Sequence, residues 1–213
     1  VIGDGDTSVG GRVVVNAGES TGHTGGSVSL ISGLGSATSS GVFSIKTADA
    51  GANGVSGALH FNSGTTSKGT SGSITLESGA GTKGTAGSIS VVIGSGDANS
   101  GGRITINAGS STATSSGTGG MMSLMTGAGT TTSSGGFSVR TAIAGTNGVS
   151  GALSLRTGGA TAGSSGAVAV KTGAATSGTA GSVSLVIGSG NTITGGRVVM
   201  NAGESTAHTG GSV

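Results

Sequence analysis

Gly26-Ser27-Val28-Ser29-Leu30-Ile31-Ser32-Gly33 carries two apolar residues one position apart, bounded by glycine at both ends. Period-two alternation of β-branched and aliphatic residues between glycines is the pattern of a half-buried β-strand. The pattern (Gly, any residue, apolar, any residue, apolar, two more, then usually Gly) starts at Gly11, Gly26, Gly41, Gly57, Gly72, Gly87, Gly102, Gly120, Gly135, Gly151, Gly166, Gly181, Gly196 and Gly211. The spacing is fifteen residues, with two units of sixteen and one of eighteen. The apolar pairs run from Val13/Val15 through Phe43/Ile45, Ile74/Leu76 and Phe137/Val139 to Val198/Met200, and Gly/Ser/Thr stretches such as Thr65–Ser71 lie between them. No segment has a helical period.

A longer repeat lies above the short one. Phe43–Ser56 recurs at Phe137–Ser150, and Gly10–Gly18 recurs at Gly101–Gly109 and Gly195–Gly203. The offset is ninety-one residues and then ninety-four, the difference being a three-residue insertion near Ser115. The long repeats cover approximately 11–101, 102–195 and a partial 196–213. Residues 1–213 therefore read as one continuous segment of a longer array.

This pattern predicts an all-β chain, a parallel β-solenoid of fifteen-residue strand–turn units. One short strand cannot bury its apolar face alone, whereas stacked coils hydrogen-bond about 4.8 Å apart and place like side chains in ladders. Glycine at each corner is expected to supply the positive φ of tight turns. One unit per coil and two units per coil of about thirty residues are both open. The sixth positions favour two. In odd units they are Asn16, Lys46, Glu77, Asn107, Arg140, Lys171 and Asn201, all polar; in even units they are Ile31, Asn62, Val92, Met125, Arg156 and Val186, mostly apolar. Ile31, Val92, Met125 and Val186 then form a broken apolar stripe, read as isolated surface hydrophobes or as a lateral contact with another chain. A right-handed coil follows only from the general rule for parallel crossovers.

Composition limits the function. Glycine fills 50 of 213 positions, charged residues make up 8%, the net charge is +2, and there is no Cys, Pro, Trp or Tyr. So much Gly and Ser suggests a flexible linker, but the mean hydropathy of +0.23 and the phased apolar residues argue against disorder. Nine basic residues scattered among seven acidic ones make no nucleic-acid surface. No signal peptide or membrane span is evident.

Chemistry-bearing residues are sparse. His23 and His208 each follow a glutamate, Glu19 and Glu204, by four residues, but the middle copy has lost both and has Ser110 in place of the glutamate. His60 stands alone. Asp4 and Asp6 resemble a calcium loop, yet their copies are Ser95/Asp97 and Ser189/Asn191, so the carboxylates are not kept. No serine has a recurring His and Asp beside it. The reading is therefore non-enzymatic, with no catalytic residue, no cofactor and no metal site. Thr112, Thr114, Thr130, Thr131 and Thr132 cluster in the connecting stretches, as turn hydrogen-bonders or as O-glycosylation acceptors. No Asn-x-Ser/Thr sequon occurs.

The phrase Gly26-Ser27-Val28-Ser29-Leu30, echoed at Gly181–Leu185, resembles the Gly/Ser/Thr-rich tandem repeats of large secreted proteins of diatoms and other microalgae, and is similar in style to the β-solenoid stalks of bacterial adhesins. The resemblance implies an extracellular or cell-surface location, a filament, fibril or stalk role, and self-association into a fibre or lateral packing with like chains. The alternative is an ice-binding or adhesive β-solenoid. An ice-binding face needs a regular Thr-x-Thr array, whereas Thr75 and Thr105 here match Ser44, Ser138 and Ala169 in the other odd units.

Overall fold

The structure is a computed structural model, and it describes residues 10–97, 100–114, 116–190, 194–205 and 209–213. Among these residues there is no strand and no helix, only bends and turns separated by irregular backbone. This overturns the β-solenoid, its thirty-residue coil and its side-chain ladders. A solenoid requires each segment to donate and accept along a neighbouring coil. Here the described backbone makes seven hydrogen bonds to itself, all of them local, where a folded globular chain makes about one bond of all kinds per residue.

The apolar pairs do not form a core either. No described side chain is buried. The chain exposes 20901 Å², against about 8,500 Å² for a globular protein of this mass. The physical reason lies in the composition. Val, Ile and Leu pairs separated by glycine-rich stretches offer little apolar area per residue, and glycine loses more conformational freedom on ordering than any other residue. Each closure that forms holds only the two ends of one loop, whereas a stacked coil must order every residue of two segments, at about 1–2 kcal/mol of backbone entropy per residue.

What does form is a loop closed by a backbone hydrogen bond at five of the thirteen repeat junctions. In the unit Val1–Ile104, Gly26 N–H donates to Gly18 O at 2.8 Å and Gly41 N–H to Gly33 O at 2.9 Å. In the unit Thr105–Val213, Gly120 donates to Gly109 at 2.7 Å, Gly135 to Gly127 at 2.9 Å and Gly211 to Gly203 at 2.9 Å. Each bond ties the eighth residue of one repeat to the first residue of the next. The two sixteen-residue repeats have Ala48 and Ala142 at the eighth position and carry a tight turn instead. Gly54 N–H donates to Gly51 O at 3.1 Å, and Gly148 N–H to Gly145 O at 3.0 Å.

The glycines therefore do a different job from the one expected. Gly69, at φ 154°, is the one described residue with a positive φ. The leading glycines Gly26, Gly87, Gly102, Gly120, Gly196 and Gly211 instead allow close approach, whereas at the other seven necks a Cβ would sit at ordinary contact distance. A Cβ on Gly26 would lie 3.1 Å from Gly18 N and 3.3 Å from Ala17 Cβ, and one on Gly196 would lie 2.6 Å from Ile187 Cγ2.

Candidate functional site

The one feature repeated throughout the described chain is this loop neck. The leading glycine of each following repeat faces the seventh residue of the preceding one. The thirteen seventh residues are Ala17, Ser32, Thr47, Ser63, Ser78, Ile93, Ala108, Thr126, Thr141, Thr157, Thr172, Ile187 and Ala202. All are small or β-branched, and none is charged. Only seven described residues are partly shielded from water, and five of them are neck residues: Ala17, Ser32, Thr47, Ser78 and Thr126. At one neck the side chain also bonds, with Ser78 Oγ donating to Gly87 O at 2.9 Å. The signal for this pairing was present in the sequence as the restricted choice at position seven. It drew no notice because that position lies outside the apolar alternation.

The threonines named as glycan acceptors sit on the loops beyond the necks. Thr112 and Thr114 lie in the loop closed by Gly109 and Gly120, and Thr130, Thr131 and Thr132 in the loop closed by Gly127 and Gly135. All five are exposed, and Thr114 and Thr130–Thr132 lie at bends. The nearby Ala113 N–H donates to Ser111 Oγ at 3.4 Å. Ser115 lies outside the described residues.

The lateral-contact residues Ile31, Val92, Met125 and Val186 are exposed to between 78% and 93%. With no sheet among the described residues, no common face joins them into a stripe.

The acid–base candidates are not assembled into a site. Glu19 and His23 are exposed in one loop, where His23 N–H donates to Ser20 Oγ at 3.0 Å. His60, Asp97 and Glu204 are exposed, while Asp4, Asp6, Asn191 and His208 lie outside the described residues. Among the described residues no three His, Cys, Asp or Glu side chains stand together as metal ligands would. A shallow hollow of about 440 Å³ is lined by Arg140, Thr141, Ala142 and Ile143. These are four consecutive residues, so the hollow is a crease in one stretch of backbone and no second segment converges on it. No helix among the described residues is long and apolar enough to cross a membrane.

Comparison with protein-family models, curated proteins and solved structures returned no match to this chain.

Proposed function

We propose that this chain is a segment of a structural repeat protein of the extracellular or cell-surface space, serving as filament, fibril or stalk material with no catalytic step. The observation that carries the reading is the loop neck, repeated from Ala17/Gly26 to Ala202/Gly211 with the same residue classes. An enzyme concentrates unlike groups at one place. A structural array spreads one group along its length, and its properties scale with the number of copies. The resemblance of Gly26–Leu30 and Gly181–Leu185 to secreted repeat proteins supports the same reading.

Self-association and glycosylation belong to this proposal. Exposed apolar pairs in every repeat supply a surface for like chains, and the exposed loop threonines Thr112, Thr114, Thr130, Thr131 and Thr132 are open to an O-glycosyltransferase. The ice-binding alternative depended on a flat Thr-x-Thr array, and no observation here favours it or the adhesive alternative.

Immunogold electron microscopy of the native material tests the reading. Antibody against the chain is expected to decorate fibres or stalks outside the cell, and peptides covering the loop threonines are expected to carry hexose mass increments. Label confined to discrete intracellular particles overturns the structural assignment.

A further inference from the structure

We infer that a second copy of this chain docks along the Gly-x-apolar-x-apolar segments, segment against segment, with the closed loops keeping the two copies in phase. This rests on the structural reading above and names its partner and contact surface.

Three observations lead to it. First, the segments are unpaired edges. From Gly26 to Ser32, for example, the only backbone bond within the chain is made by the leading Gly26, and the remaining N–H and C=O groups have no backbone partner. Such a row is a template for strand addition. The usual protections of an exposed edge are weak here, since the chain has no proline and its charged residues are only 8% of the total. The net charge of +2 gives little mutual repulsion between copies.

Second, the area suffices. The side chains of the thirteen apolar pairs are between 46% and 76% exposed. At about 60–120 Å² of apolar surface per side chain, they leave on the order of 1,400 Å² open per copy. A stable dimer buries about 800 Å² per partner, so covering a little over half of these side chains is enough.

Third, the spacing selects the partner. Each segment is weak alone, so affinity requires many to engage together. Only an array with the same segment spacing meets many of them at once, and a second copy has that spacing by construction. The loop neck makes the spacing tolerant. The longest loop, from Gly109 to Gly120, closes at 2.7 Å, and the shorter loop from Gly18 to Gly26 closes at 2.8 Å. The three extra residues near Ser115 therefore leave the gap between segments unchanged, and a copy displaced by one long repeat still matches.

Sedimentation velocity of the full chain across a concentration series, with infrared amide I spectra of the same samples, tests the inference. Association with a concentration-dependent intermolecular β band is expected. Two variants locate the contact. One carries single-glycine insertions before Leu30, Val91 and Leu155, which throw each apolar pair onto opposite sides of its segment. The other carries single-glycine insertions after Thr38, Thr131 and Thr161, in the loops. The segment variant is expected to associate at least about tenfold more weakly, and the loop variant within about twofold of the parent. Equal effects from the two variants, or a chain monomeric at every concentration, overturn the inference. A monomeric chain found in decorated native fibres overturns only this contact and leaves the structural reading standing. Absence of fibres overturns the structural reading itself.

Discussion

Gly120 N–H donates to Gly109 O at 2.7 Å across an eighteen-residue repeat, and so makes the closure that Gly26 and Gly18 make at 2.8 Å across a fifteen-residue one. The bond fixes the ends of the loop and leaves its length free. Extra length adds little closure entropy, because that cost rises only with the logarithm of loop size. The insertion near Ser115 is tolerated for this reason, while the apolar alternation on either side stays in phase.

At the neck of Gly26, glycine is needed for space. Gly26→Ala places a methyl 3.1–3.3 Å from Gly18 N, Gly18 O and Ala17 Cβ, closer than nonbonded carbon contacts favour. Gly22→Ala, in the same loop, meets nothing within 4 Å. Amide exchange measured by NMR on both variants is expected to show lost protection at residue 26 for Gly26→Ala and unchanged protection for Gly22→Ala. Equal behaviour of the two counts against a steric neck.

Ser78 tests the side-chain contribution to closure. Its hydroxyl donates to Gly87 O at 2.9 Å at a neck with access to water. Ser78→Ala is expected to loosen this loop by no more than about 0.5 kcal/mol, the low end for a hydrogen bond, since water replaces the lost donor. The exchange rate of the Gly87 region reads it, with Ser63→Ala as the comparison at a neck lacking that bond.

The turns of the sixteen-residue repeats rest on one donor each. Gly54→Pro removes the N–H that reaches Gly51 O at 3.1 Å, and Gly148→Pro removes the one that reaches Gly145 O at 3.0 Å. Local opening is expected between residues 51 and 57 or between 145 and 151, with the neighbouring loops unaffected. Chemical shifts in those windows report it. Changes spreading into adjacent repeats contradict independent loops.

Surface apolar area of this kind responds to salts that strengthen burial. Sulfate is expected to lower the concentration needed for association several-fold, while chloride at the same ionic strength has little effect at 8% charged residues. Light scattering in matched salt series distinguishes the two, and equal responses point to an electrostatic contact.

The periodicity was legible in the sequence, and so was its phase. The fifteen-residue step, the apolar pairs from Val13/Val15 to Val198/Met200 and the position of the insertion all follow from residue order. The step from periodicity to sheet did not follow. Alternation such as Val28-Ser29-Leu30 states that a segment suits a strand, but not that its own chain supplies the partner. One pair such as Val28/Leu30 gives too little area by itself to hold the next coil of a glycine-rich chain, so closure within the repeat prevails over stacking between repeats, and only many pairs engaged together supply enough. The loop positions of Thr112, Thr114 and Thr130–Thr132 were legible because Ser/Thr clusters mark loops. The neck residues were missed because Ala17, Ser32 and Thr47 carry no distinctive chemistry, and their role comes from the glycine they face.

Residue-resolved amide hydrogen exchange on the dilute full chain tests the repeated loop neck most directly. Protection is expected at Gly26, Gly41, Gly120, Gly135 and Gly211, with fast exchange across Val28–Ile31 and its equivalents. Continuous protection through those segments in the monomer would contradict it, because that pattern requires backbone pairing between repeats.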